Sequence, residues 1–223
     1  MPRIARIVVP NIPHHVTQRG NYQQDVFLGD KDKFKYLSLL KEYSFEYNIE
    51  VLAYCLMSNH VHLVLVPSES DALGKMLNIV SMKYAQYFNK RLGKRGHLWQ
   101  DRYFSCPLDE DHLYEVVRYV ENNPVKFGIV KYAEDYYWSS AKSHLSGKVQ
   151  ENELLADYTK YLERIDNWKE YLTENPKESV INNLRKCTKR GRPAGNERFI
   201  RNLEEKIGRK LTAPPRGRSW RQE

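Results

Sequence analysis

The run Ser58-Asn59-His60-Val61-His62-Leu63-Val64-Leu65-Val66 sets two histidines two residues apart in an otherwise apolar stretch. On an extended strand such residues share a face, roughly 7 Å apart along the backbone, so His60 and His62 project together while Val61, Leu63 and Leu65 face the other way. Two imidazole nitrogens can converge on one divalent ion and leave positions for a third ligand, water and a substrate oxygen. The plainer alternative is that two histidines near a strand edge bond each other or the backbone, since polar rings beside apolar side chains need partners. The dyad alone leaves both open.

A second constellation spans Tyr114 to Lys126. On a helix, Glu115, Tyr119 and Asn123 stand at i, i+4 and i+8 and share one face, which puts a phenol beside an amide. A neutral phenol with a pKa near 10 is a poor nucleophile, so chemistry at Tyr119 requires a metal or base nearby and a polarised target. Tyr114, five residues earlier, falls on another part of the helix surface. With 16 tyrosines in the chain, Tyr119 taken alone reads equally as a partly buried helix residue.

These groups need a scaffold. Ile4 to Pro10 and His14 to Gln18 read as extended, with Pro13 between them and a turn at Arg19-Gly20-Asn21. Phe34, Leu37, Leu40 and Tyr43 follow helical spacing over Lys31 to Tyr47, with Asp30 as the expected cap. Glu50 to Met57 and His60 to Val66 form a hairpin across Ser58-Asn59. Asp71 to Leu92 and Asp111 to Asn122 read as helices, the second stopped by Pro124. The order β-α-β-β-α predicts an α+β fold: a ferredoxin-like or RRM-like antiparallel sheet with helices on one face. Asp135 to Leu145 is an aromatic-rich closing segment, and the polar stretch Gly147 to Glu151 suggests a boundary. The expected division is 1–147 as a catalytic domain and 148–223 as a basic, mostly helical extension with helical stretches at Glu153 to Tyr171, Lys177 to Cys187 and Asn196 to Ile207.

His60-Val61-His62 resembles the histidine-hydrophobic-histidine motif of the HUH endonucleases, and Tyr119 followed by Asn123-Pro124-Val125-Lys126 resembles the catalytic helix of their single-tyrosine transposases, above all the REP-associated tyrosine transposases. His15-Val16-Thr17-Gln18-Arg19-Gly20-Asn21 and Trp99-Gln100-Asp101-Arg102-Tyr103-Phe104 add two more matches in the family's order, so the resemblance covers residues 4 to 145. It implies a usually dimeric, metal-dependent enzyme that cleaves and rejoins single-stranded DNA near hairpin or palindromic repeats. The implied cofactor is Mg²⁺ or Mn²⁺ held by His60 and His62, and Tyr119 is the implied nucleophile, forming a 5′-phosphotyrosine. A third ligand in such sites often follows the tyrosine by one helical turn, which here is Asn123. Some relatives carry glutamine there. Asparagine is one methylene shorter, so direct ligation, ligation through water and simple helix capping all stay open for it. A protein that keeps the RRM-like fold and binds structured repeats without cutting is the alternative, against which the intact histidines and Tyr119 argue.

Charge is unevenly spread. The 223 residues carry a net +8, but residues 1–180 hold 23 basic and 24 acidic side chains (net −1), and 181–223 hold 13 and 4 (net +9). A polyanion partner gripped partly by the C-terminal segment follows. Lys83, Lys90, Arg91, Lys94, Arg95 and Arg102 interleave with Tyr84, Tyr87, Phe88 and Trp99, so cations can track phosphates while rings stack on bases; a solvated helix face with core aromatics is the competing reading. His15, Gln18, Arg19 and Gln100 are further candidate DNA contacts, with ordinary backbone bonding as the alternative for those on the opening strand. Lys189-Arg190-Gly191-Arg192-Pro193 contains the Arg-Gly-Arg-Pro core seen in AT-hooks, partly echoed at Arg216-Gly217-Arg218, which makes Arg190 and Arg192 candidates for duplex contacts. A solubilising basic tail is the other reading. With 41 % apolar and 12 % aromatic residues the body is not disordered, no apolar run is long enough for a bilayer, and three scattered cysteines make no disulfide scaffold. The expected location is cytoplasmic and nucleoid-associated.

Overall fold

The computed structural model describes residues 6–147, 154–174 and 176–211. Four strands, β1 (His14–Arg19), β2 (Ile49–Met57), β3 (His60–Pro67) and β4 (Phe104–Pro107), form one sheet in the order β2-β3-β1-β4. Every pairing is antiparallel. Helices α1 (Asp30–Glu46) and α2 (Ala72–Leu92) supply the two crossovers and pack on each other. This is the split βαβ arrangement of the ferredoxin-like fold.

Pairing register sorts the strand residues between the two faces. Val16 stands opposite Leu63, and His14 opposite Leu65, on the face toward α2. Gln18 shares that face, where its Oε1 accepts from Ser81 Oγ of α2 at 2.8 Å. Leu63 and Leu65 are wholly buried, each such side chain contributing about 2 kcal/mol through removal from water. The second face displays His15, Thr17 and Arg19 of β1 beside Val64, His62 and His60 of β3. It is covered too, by α3 (Glu110–Glu121) against β2 and β3 and by α7 (Glu178–Arg190) against β4. Helices therefore lie on both faces, two from the ferredoxin-like core and two added on the histidine side.

Local sequence explains most boundaries. The two-residue Ser58-Asn59 turn joins β2 to β3 with Met57 paired to His60. Gly20 follows β1 where a Cβ would sit 2.3 Å from Gln24 O, so only glycine fits. Asp30 is the first residue of α1 rather than its cap, and the extended Gly29 precedes it. Asp109 caps α3 by accepting from His112 N. After Asn122 the chain makes one further turn, α4 (Asn123–Lys126), because Pro124 is tolerated in a first turn but not inside a helix. The closing segment reaches α5 (Ala141–Ser146) and bonds to the free side of β2, with Leu56 N donating to Trp138 O and Ser140 N to Tyr54 O. That satisfies the backbone of an otherwise open sheet edge.

The C-terminal stretch differs from the sequence expectation in two places. Residues 154–167 form irregular turns, and only α6 (Trp168–Thr173) is helical there, starting where Asn167 caps Lys169 N and Glu170 N. The Arg-Gly-Arg-Pro core is not a free extended hook. Arg190 ends α7, Gly191 takes the left-handed C-cap with φ 63°, and Ala194 bridges to Leu108 before α8 (Glu197–Ile207). The related triplet at residues 216–218 and the polar boundary at 148–151 lie outside the described residues.

Candidate active site

β3 and α3 bring the two chemical constellations together. The His62 and Tyr119 rings lie 5.4 Å apart between centroids, and His60 and His62 lie 5.0 Å apart. All three side chains are largely buried. A strand positions the histidines rigidly at two-residue spacing, and α3 presents Tyr119 down onto them through a stripe formed by Leu113, Val116, Val117 and Val120, all in the core.

His15 joins them. It is diagonal to His62 across the β1–β3 ladder, and its Nε2 is 3.0 Å from His62 Nδ1 with the rings stacked at 5.2 Å. Its other nitrogen, Nδ1, meets Thr188 Oγ1 of α7 at 3.0 Å. If His62 Nδ1–H donates to His15 Nε2, His15 Nδ1–H donates to Thr188, and the Nε2 lone pair of His62 is left for an ion, the pattern typical of metal-bound imidazoles. His60 Nδ1 is held by Asn59 Oδ1 at 2.6 Å, so its Nε2 is likewise a lone-pair atom. Burial lowers the His60 pKa to about 4, helped by Arg19, lowers His15 to about 3, and pushes His62 well down with further contributions from His15, His60, Arg19 and Arg185. His60 and His15 are thus neutral at any pH above about 5, and the shift of His62 favours the same neutral form, as metal ligation demands.

Asn123 takes the capping role among those anticipated for it. Its Nδ2 donates to Tyr119 O at 2.8 Å, which caps the helix and fixes which way the amide points. Its Oδ1 is buried with no hydrogen-bond partner among the described residues. A buried carbonyl oxygen without a partner, one turn from Tyr119, fits the role of an oxygen donor to a metal ion. Two neutral imidazoles plus an amide oxygen suit a small divalent ion that keeps its remaining sites for water and phosphate oxygen. No group of three or more His, Cys, Asp or Glu side chains among the described residues is arranged to hold a metal ion.

The other anticipated contacts divide clearly. Arg19 is exposed beside His60 at the end of β1, and Gln100 N donates to Arg19 O. Gln18 lies on the α2 side of the sheet, and Trp99 is buried between Tyr36 and Tyr84 with its Nε1 donating to Ser81 O. Arg91 pairs with the buried Asp32 at 2.7 Å, and Lys83 lies over the Tyr43 ring. Tyr84 and Phe88 belong to the core, whereas Lys83, Lys90, Arg91, Lys94 and Arg95 of that strip are exposed. Arg102, Arg190 and Arg192 instead line one groove beside β4. Tyr114 points away, its hydroxyl accepting from Arg164 N.

Residues that the sequence did not announce complete the site. Arg185 of α7 places its guanidinium 5.7 Å from the Tyr119 ring centroid, and Phe127 lies edge-on to His60 at 6.4 Å. Both sit many positions from the motifs they approach, and only helical spacing back from Thr188 could have singled out Arg185.

The family description that matches this sequence, "Transposase IS200 like", covers residues 8–123, which runs from just before β1 through Asn123 and takes in His15, both dyad histidines and Tyr119. The chain belongs to the IS200-like transposase family. It is 25 % identical over 148 residues to a Haemophilus influenzae protein provisionally named a REP-associated tyrosine transposase, a match covering 58 % of this chain and 84 % of that one. Among solved structures it is similar to a REP-associated tyrosine transposase bound to a REP hairpin, with a TM-score of 0.53, 17 % identity, and coverage of 70 % of this chain and 93 % of that one. A provisionally named transposase from Deinococcus radiodurans aligns over 54 % of this chain and 97 % of its own with 19 % identity and a TM-score of 0.39. The resemblance to REP-associated transposases is thereby borne out at the level of family and fold. The family match ends at Asn123, so Arg185 and Thr188 come to this transposase site from outside it. No helix among the described residues is long and apolar enough to cross a membrane.

Proposed function

We propose that this transposase cleaves and rejoins single-stranded DNA beside a hairpin or palindromic repeat, with Tyr119 as nucleophile. The observation that carries the reading is the convergence of Tyr119, His60 and His62 within one buried cluster, one helical turn before Asn123, whose buried side-chain oxygen has no partner among the described residues. Mg²⁺ or Mn²⁺ bound by His60, His62 and Asn123 would supply Lewis-acid polarisation of the scissile phosphate. Tyr119 Oη, losing its proton, bonds to phosphorus; the phosphorus–oxygen bond to the 3′ side breaks, and the departing 3′ oxygen takes a proton. A 5′-phosphotyrosine and a free 3′-hydroxyl result, and attack by a 3′-hydroxyl reverses the step to rejoin DNA. Arg185, beside the tyrosine ring, offers a fixed positive charge for the phosphate. Family resemblance supports a homodimer, which light scattering tests, and the +9 charge of residues 181–223 supports a DNA-gripping role for the segment after residue 147.

The decisive experiment incubates the protein with Mg²⁺ or Mn²⁺ and a panel of labelled single-stranded hairpin oligonucleotides, and looks for a denaturation-resistant adduct. Wild type should form it, Tyr119→Phe should not, and His60→Ala should lose it while still binding DNA. No adduct from wild type across the panel would favour the repeat-binding protein that does not cut, and an adduct from Tyr119→Phe would assign another nucleophile.

A further inference from the structure

The last turn of α7 and the residues after it run along the outer edge of β4, and between them lies a groove of about 490 Å³. Five cations line it, Arg6, Arg102, Lys189, Arg190 and Arg192, against one acid, Asp101. The groove is not merely a charged surface. Phe104, on the edge strand, is 37 % exposed. Ser105, beside it, is buried, and its Oγ has no hydrogen-bond partner among the described residues. The far end of the β4 edge is closed where Ala194 N donates to Pro107 O, so Phe104 and Ser105 mark its open end. Arg6 is braced there, stacked 3.9 Å over the Tyr103 ring with its Nε donating to Tyr103 O.

Thr188 lines this groove and also touches His15, which in turn touches His62. The groove and the tyrosine cluster therefore meet across one residue of α7, and Arg185, one turn before Lys189, continues the row of cations to Tyr119. We infer that the groove between β4 and the end of α7 holds the single-stranded DNA continuous with the scissile phosphate, with Arg102, Arg190 and Arg192 on its phosphates and Phe104 stacked on a base. This rests on the function proposed above and assigns it a strand path. Guanidinium groups suit phosphate oxygens in pairs. An exposed ring at an open sheet edge can stack only on a base whose face is free, which a duplex stem does not offer along its length but a single strand does.

The test measures binding by fluorescence anisotropy in EDTA, so that no cleavage intrudes, using a short GC-rich hairpin with and without an oligothymidylate flank. Wild type should bind the flanked probe more tightly. Phe104→Ala should lose about 5-fold to 150-fold on the flanked probe alone, the range set by one base–aromatic stack. Arg190→Gln/Arg192→Gln should lower the salt slope for the flanked probe by about 1.4, the value for two single-strand phosphate contacts. Thermal unfolding of each variant verifies that it is folded, and Arg102→Gln, on the opposite wall, repeats the test should the double variant not fold. Equal losses on the blunt hairpin would put the stem in the groove and overturn the inference, as would no loss on either probe. The two proposals fail separately. A wild-type adduct with flank binding unaffected by the variants would remove only the strand path, and flank-specific losses without any adduct would remove only the catalytic reading.

Discussion

Acid is the perturbation to which the buried histidines should respond most strongly. Burial lowers the pKa of His14 from 6.5 to about 4, with the Ile12 carbonyl pulling weakly the other way, and lowers His15 and His60 to about 3 and about 4. In the unfolded chain these rings titrate near 6.5. Between pH 6.5 and about 4 the unfolded state thus binds three protons that the folded state does not, and stability falls as pH falls. From pH 7 to pH 5.5 each ring costs about 1.2 kcal/mol, so the three together cost about 4 kcal/mol. His62 acts in the same sense. His112 acts oppositely: its bond to Asp109 raises its pKa, so its contribution is complete below the unfolded value and is lost as pH rises through the folded one. A loss of about 4 kcal/mol is a large share of the 5 to 15 kcal/mol typical of a domain. Urea unfolding at pH 7 and pH 5.5 in metal-free buffer measures it. His15→Gln should remove about one proton from the uptake on unfolding at pH 5.5, whatever it does to absolute stability. A folding free energy that stays level between pH 7 and 5.5 and declines only below pH 4, where carboxylates titrate, would refute the reasoning.

Three other outcomes follow from the same geometry. Glu121 is wholly buried and accepts from Ser140 Oγ and, at 2.6 Å, from His144 Nδ1, so Glu121→Ala, which strands both donors, should cost about 3 to 5 kcal/mol in urea unfolding, and Glu121→Gln less. Cys187 has its thiol pKa lowered by a hydrogen bond from Cys106 and by His112, Arg192 and Arg190, whereas burial raises Cys55 and Cys106; iodoacetamide at neutral pH should therefore label Cys187 first, as peptide mapping would show. Arg185→Gln should slow adduct formation about tenfold or more with little change in hairpin affinity, read by single-turnover gels.

The hairpin, α1, α2 and α3 were legible because each carries a strong local period or a turn signal, and the two chemical constellations were legible because each lies inside one such element. β4 was not, since four residues with a proline show no alternation. The place of His15 depends on strand register: one residue of slip would turn it to the α2 side, and nothing within residues 14–19 sets that pairing. Trp99 looked like a stacking platform by composition but is enclosed by Tyr36 and Tyr84, a tertiary fact. The arrival of α7 over the histidine face is equally long-range, joining residues 173 positions apart at the His15–Thr188 bond.

That bond also bears on how such enzymes can diversify. On the function and strand path proposed above, the family-wide portion of the chain supplies the reacting groups and one wall of the groove, while a separate, later stretch furnishes the other wall. Substitutions in the later stretch that spare Arg185 and Thr188 could then retune which flanking sequence is accepted without disturbing the histidines or the tyrosine. A graft of residues 189–194 from one relative onto another becomes a way to redirect target choice while conserving the reaction, and relatives should diverge faster in that stretch than in β1, β3 and α3.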